Sequence, residues 1–252
     1  MTQLAVIGGT GIDELAELDI VASHNPQTPF GNPSRPVQEG RFNGVRVYFL
    51  QRHGSPEMIP PHLINYRANL WTLKSLGVAE IVAINAVGGI NPALAPGRLV
   101  IPDQLIDYTW GREHSFDDGS SGALQHIDFT EPYDSALRTA LAEAAVGAGI
   151  TCETQGVQGV TQGPRLETAA EIRRMAADGC DVVGMTGMPE AALARELGMA
   201  YASVCMVVNP AAGLGEGPIS LAMMRDILDR EASVVGRLLA GLLALRYRGA
   251  DG

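Results

Sequence analysis

Short apolar runs recur along the chain, and each stops at glycine, asparagine or proline. They fall at residues 4–8 (LAVIG), 45–50 (VRVYFL), 79–89 (AEIVAINAVGG), 98–106 (RLVIPDQLI), 154–163 (TQGVQGVTQG), 181–185 (DVVGM) and 201–209 (YASVCMVVN). Runs this short, bounded by turn formers, predict buried strands. Between several of them apolar positions return at helical spacing, over residues 65–76, 134–148, 168–178, 190–197 and 220–245. Asp134 and Thr168 suit helix N-caps, and Gly149, Gly179 and Gly198 suit helix stops. Strands alternating with helices predict an α/β fold with a mainly parallel sheet covered on both faces. Residues 107–132 break the pattern, being polar and turn-rich with few periodic positions. An irregular insertion of that length is more often functional than accidental. No repeat or low-complexity linker divides the chain, so one domain over residues 1–252 is expected.

Composition narrows the function more than the fold. Hydrophobic residues make up 46% and charged ones 18%, an ordinary globular balance, and 252 residues suffice for a substantial core. The net charge of -10 argues against a nucleic-acid or membrane surface, either of which wants a basic face. It leaves room for a local pocket that takes a small anion. Cys152, Cys180 and Cys205 are odd in number and widely spaced, which is no disulfide framework. Cys205 lies inside an apolar run and reads as a small core residue. The five histidines, at 24, 53, 62, 114 and 126, have no metal-ligand spacing, so no metal is expected. The start, MTQLAVIGGTG, lacks the basic region of a signal peptide, and no apolar stretch reaches the ~20 residues of a membrane span. A cytoplasmic protein is expected.

Candidate chemistry sits where the apolar runs end. In IGGTGID (7–13), glycines flank Thr10, and successive backbone N–H groups there can cradle an anion. The spacing is not that of a dinucleotide fingerprint, and a plain tight turn explains the stretch equally well. Arg52 and His53 end the run at 45–50, where two donors suit an oxyanion. The plain alternative is surface charge. Asn85 and Ala86, followed by Gly88-Gly89, end a third run. Glu167, in TQGPRLET, either caps the next helix or accepts a ring N–H from a ligand. Thr186 follows Met185 between a strand and a helix, again a place for an anion. Met185 alone reads as core. Asn209 ends the last run before Pro210, and either starts a turn or selects a ligand.

Together these stretches resemble a known family. The ordered set IGGTG, RHG, PPHLINYRAN, NAVGG, PGRLVIPDQLID, QGPRLET, VGMTGMPEA and YASVCMVVN is similar to the trimeric nucleoside phosphorylases, which include methylthioadenosine phosphorylases and low-mass purine nucleoside phosphorylases. The resemblance runs from Leu4 to about Leu245. It implies one α/β domain with a mixed, partly barrel-like central sheet flanked by helices, assembled as a homotrimer with an active site shared between subunits. It implies a reaction in which phosphate, a co-substrate, attacks the anomeric carbon of a purine nucleoside without metal or cofactor. Thr10, Arg52, His53, Ala86 and Thr186 match the phosphate-site residues, with Asn85 beside them. Met185 matches the methionine against the ribose, and His126 matches a histidine that reaches a neighbouring subunit's 5′ pocket.

The resemblance also narrows the substrate. Where methylthioadenosine phosphorylases carry Asp, commonly Asp-x-Asp, this chain has Asn209-Pro210-Ala211. Where they typically have Ser, it has Glu167. An amide both donates and accepts, and a carboxylate accepts N1–H, so the pair suits a 6-oxopurine. The aligned 5′-pocket position is Leu221 or Ala222, and an apolar wall suits a methylthio group better than a hydroxyl. The expected substrate is S-methyl-5′-thioinosine, with Asn209 and Glu167 as catalytic and purine-binding residues. Methylthioadenosine, inosine or guanosine stand as alternatives, as do a nucleosidase and a nucleoside-binding protein.

Overall fold

The computed structural model describes residues 3–247, apart from 13, 16, 121, 123, 125, 218 and 220 and the side chains of 221–223. Among the described residues eleven strands form one mixed sheet: β1 (Gln3–Gly8), β2 (Leu18–His24), β3 (Val37–Phe42), β4 (Val45–Gln51), β5 (Val78–Gly89), β6 (Leu99–Val100), β7 (Gln104–Asp107), β8 (Cys152–Glu153), β9 (Val157–Val160), β10 (Val182–Gly184) and β11 (Ala200–Pro210). One path runs β2-β3-β4-β1-β5-β10-β9-β7, and β11, β6 and β8 branch from β5. The long β5 makes this possible. Its first half pairs in parallel with β1, most of its length pairs in parallel with β11, and its last two glycines pair antiparallel with β10. The single α/β domain with a large mixed sheet flanked by helices is as expected.

The helices are α1 (Tyr66–Ser75), α2 (Ser135–Gly147), α3 (Ala169–Ala177), α4 (Glu190–Glu196) and α5 (Leu221–Arg246). Asp134 caps α2 through the amide of Leu137, and Thr168 and Glu171 form a full capping box on α3. Both sheet faces are covered, so adjacent strand residues are buried on opposite sides. Leu4 and Val6 of β1 pack with Leu137 and Leu141 of α2 and Leu238 and Leu242 of α5. Ala5 and Ile7 pack on the other face with Leu70 and Leu73 of α1 and Leu193 of α4.

Two expectations are corrected. The sheet is less parallel than strand–helix alternation predicts, because β2 and β3 enter as an antiparallel meander on β4. Those strands carry no clear apolar alternation, since Ile20 and Val21 of the outermost strand are exposed. The run at 98–106 splits into β6 and β7 around Pro102. Proline cannot donate to a ladder, and the two pieces pair with different strands, β6 with β11 and β7 with β9.

Candidate active site

The parallel strands β1 and β4 end side by side, Gly8 opposite Gln51, while β5 and β11 run on together to Gly89 and Pro210; the carboxyl ends of strands are where open α/β sheets bind ligands. Beside these ends lies a cavity of about 630 Å³. Its wall is built from Gly9 and Thr10 after β1, His53 after β4, Ala86–Gly88 of β5, Met185 and Thr186 after β10, Asn209 at the end of β11, Glu167 before α3, and Met224, Arg225 and Leu228 of α5. Seven of the expected site residues therefore meet at one place: Thr10, His53, Ala86, Glu167, Met185, Thr186 and Asn209.

Glycine at position 9 follows from close packing. A Cβ there would lie 2.4 Å from the Ile84 carbonyl oxygen and 2.8 Å from Nη1 of Arg52. Arg52 thus sits behind the first turn instead of lining the cavity. It is fully buried, donates from Nε and Nη2 to Glu190 at 2.5 and 3.0 Å, and donates from Nη1 to Ile84 O at 2.9 Å. Tyr201 also donates to Glu190, at 2.9 Å. Burial works against the Arg52 charge, yet the adjacent Glu190 carboxylate more than offsets this and holds the pKa above the ordinary arginine value. Burial likewise pushes the Tyr201 hydroxyl well above the usual tyrosine range.

Asn85 also stands one layer back. Its carbonyl accepts from the Thr186 hydroxyl at 2.8 Å, and its amide donates to Ser203 Oγ at 2.6 Å. The Thr186 carbonyl accepts from Gln158, whose own side-chain oxygen accepts from Tyr133. Thr186 is therefore fixed through both hydroxyl and backbone by buried groups. On the opposite side of the first turn, His53 lies with Nδ1 3.0 Å from Ile59 O. A carbonyl only accepts, so Nδ1 carries the proton in that pair.

Glu167 does not cap α3, since Thr168 and Glu171 do so. Its carboxylate accepts from the Thr161 hydroxyl at 2.6 Å and faces the cavity. Asn209 pairs across the sheet with Gly88, and its amide donates to Pro210 O at 2.6 Å. These two groups give the cavity one carboxylate acceptor and one amide. Met58, Pro61, Leu166, Ile219, Met224 and Leu228 supply apolar wall.

Besides Arg52 and Asn85, two expected residues are not placed in this wall by the described side chains. His126 is exposed within the 108–134 stretch and does not line the cavity of its own chain. Leu221 begins α5, and its side chain lies outside the described residues. Among the described residues no three His, Cys, Asp or Glu side chains cluster as a metal site. Sequence reasoning missed Glu190, read there only as a helix start, and Ser203 and Thr161, which hold Asn85 and Glu167. No local motif marks such supporting residues. The clue available was only that Asn85 and Glu167, if buried, need partners.

A model of the Phosphorylase superfamily matches residues 3–244. A protein of Pseudomonas syringae pv. tomato named probable S-methyl-5′-thioinosine phosphorylase is 49% identical over 244 residues, covering 95% of this chain and 99% of the relative. The 6-oxopurine nucleoside phosphorylase of Pyrococcus furiosus is 41% identical, covering 97% and 93%. The structure of methylthioadenosine phosphorylase from Schistosoma mansoni in complex with adenine superposes with a TM-score of 0.93 at 33% identity, covering 100% of this chain and 93% of that one.

Proposed function

The chain belongs to the Phosphorylase superfamily, and from that premise we propose that it splits S-methyl-5′-thioinosine with phosphate into hypoxanthine and 5-methylthioribose 1-phosphate. The observation that carries the reading is the pairing of Glu167 and Asn209 on one cavity wall, with the carboxylate oriented by Thr161. Glu167 accepts N1–H of a 6-oxopurine, and the Asn209 amide donates to O6 or N7. A relative named for the same substrate, at 49% identity, supports the choice. The apolar side chains of Met224 and Leu228 suit a methylthio group, since an unpaired hydroxyl is disfavoured there.

Glycosidic cleavage builds positive charge on the sugar and negative charge on the leaving purine. Phosphate held by the Thr10 turn, His53, the Ala86 backbone and Thr186 both attacks the anomeric carbon and stabilises its charge. An amide donor at the purine stabilises the leaving group. Arg52 and Asn85 support this anion subsite from behind. The scheme needs no metal or organic cofactor. A homotrimer in which His126 reaches a neighbour's 5′ pocket, working in the cytoplasm, completes the proposal. Among the described residues no helix is long and apolar enough to cross a membrane.

The test compares kcat/KM for S-methyl-5′-thioinosine, methylthioadenosine and inosine, each with and without phosphate. S-methyl-5′-thioinosine should win, and release of base should require phosphate. Preference for methylthioadenosine refutes the base assignment, and preference for inosine refutes the 5′ assignment. Phosphate-independent release makes the protein a nucleosidase.

A further inference from the structure

The irregular segment before α2 contributes one buried cation, Arg112, which is 8% exposed. Four of the six oxygens it donates to are backbone carbonyls. Nη1 donates to Met188 O at 2.6 Å and to Tyr66 Oη at 3.3 Å. Nη2 donates to Thr161 O at 3.1 Å, Gln162 O at 2.9 Å and Met185 O at 3.0 Å. Nε donates to Gln162 Oε1 at 3.2 Å, and the guanidinium stands 5.5 Å from the centre of the Tyr66 ring. Among the described residues no carboxylate pairs with it. A buried charge is tolerated only when hydrogen bonds replace its water, and here four carbonyls converge to do so.

Those carbonyls belong to two different loops. Thr161 and Gln162 start the β9–α3 loop, which carries Glu167. Met185 and Met188 lie in the β10–α4 loop, which carries Thr186. Both loops face the cavity. We propose that Arg112 is a positioning residue that fixes the base-reading loop against the anion-side loop, so that nucleoside and phosphate are held in register. The inference rests on the phosphorolysis reading for its catalytic part. A rigid planar fork suits the task, and lysine, with one nitrogen, cannot span both loops.

The experiment uses the full-length protein and the variants Arg112→Gln and Arg112→Lys. Hydrogen exchange comes first, because it needs no activity. Exchange in residues 161–167 and 185–189 should rise together in both variants, while β1 and α2 stay protected. Unchanged exchange in either loop overturns the clamp. In the folded variants kcat should fall about 100-fold, as expected when reacting groups lose register by about an ångström. Binding of phosphate alone and of hypoxanthine alone, read by calorimetry, should change less than about threefold, while the mutual strengthening of the two ligands is lost. A residue that merely supports the fold would lower the folded fraction and leave that coupling intact, which would overturn the proposal. Wild-type activity from Arg112→Lys would overturn it as well. Wild-type protein that exchanges as expected yet releases no base with phosphate would refute the reaction and not the clamp.

Discussion

Glu190→Gln should be among the most destabilising single changes in the chain. Glu190 and Arg52 are both wholly buried, and their contact is a two-point fork with N–O distances of 2.5 and 3.0 Å. Glutamine keeps the shape and leaves an oxygen for Tyr201, so packing changes little. What remains is a guanidinium with no counter-charge, held by Ile84 O and by the one amide oxygen it shares with Tyr201. Breaking one side of a buried pair is worth about 3–5 kcal/mol, against a total stability of roughly 5–15 kcal/mol. Guanidinium chloride unfolding, followed by circular dichroism at fixed protein concentration, measures the loss. Adding Arg52→Met to Glu190→Gln removes the orphan cation, and about 1–4 kcal/mol should return, because an apolar side chain of similar length replaces an unpaired charge. The reasoning fails if Glu190→Gln loses less than about 1 kcal/mol, the range of an exposed ion pair. It fails equally if the second substitution lowers stability further by several kcal/mol.

Asn209→Asp should shift the ratio of kcat/KM from S-methyl-5′-thioinosine toward methylthioadenosine by about 10- to 100-fold, since an ionised acid accepts from a 6-amino group and repels O6; an equal fall for both substrates would mean that the amide does not select the base. Gly9→Ala places a methyl 2.4 Å from Ile84 O, so β1 and β5 must part. Thermal unfolding should show a loss of about 1–3 kcal/mol, and KM for phosphate should rise. Glu171 is held down to about 2 by the Arg165 side chain first and the Thr168 amide next. Its folded pKa lies below the ordinary 4.5, so its contribution to stability is present above that value and fades as pH falls toward 2. A carboxyl-carbon NMR titration should place its midpoint near the lower value, and a midpoint above 4 would disprove the pairing.

Much of the fold was legible because the burial is two-sided. β1, β4, β5 and β11 are buried on both faces and read as unbroken apolar runs, which a stop residue then ends. The same logic fails for β2, whose edge position lets Ile20 and Val21 face solvent and erases the alternation, and for β3, which is buried only in part. Within the site, residues at or near strand ends were legible: Thr10 and His53 follow β1 and β4, Ala86 lies near the end of β5, and Asn209 is the penultimate residue of β11. Depth was not. Asn85 adjoins Ala86 in β5, where neighbouring residues point to opposite sides, and Arg52 adjoins His53 in the turn after β4, so one of each pair lines the cavity and the other stands behind it. Arg112 was wholly hidden, since TWGREHSF reads as a solvated turn and nothing local says that four carbonyls from two distant loops converge there.

The placement of these charges bears on how the proposed anion subsite works. Arg52 is already matched by Glu190, so its charge is largely spent within the protein and contributes little net attraction to a phosphate. The groups beside the Thr10 turn are mostly neutral: the Thr10 hydroxyl, the backbone of Gly9 and Ala86, and Thr186, whose hydroxyl proton goes to Asn85, together with the His53 imidazole; Arg225 of α5 stands in the same wall. A site of that kind binds phosphate through oriented dipoles, which require rigid support more than charge. The buried chain Thr186–Asn85–Ser203 supplies that support on one side, and the Ile59 carbonyl supplies it for His53 on the other. Phosphate binding by the proposed enzyme should therefore depend weakly on ionic strength. It should depend strongly on the buried polar residues behind the wall, where Asn85→Ala removes the acceptor of the Thr186 hydroxyl and the amide donor to Ser203.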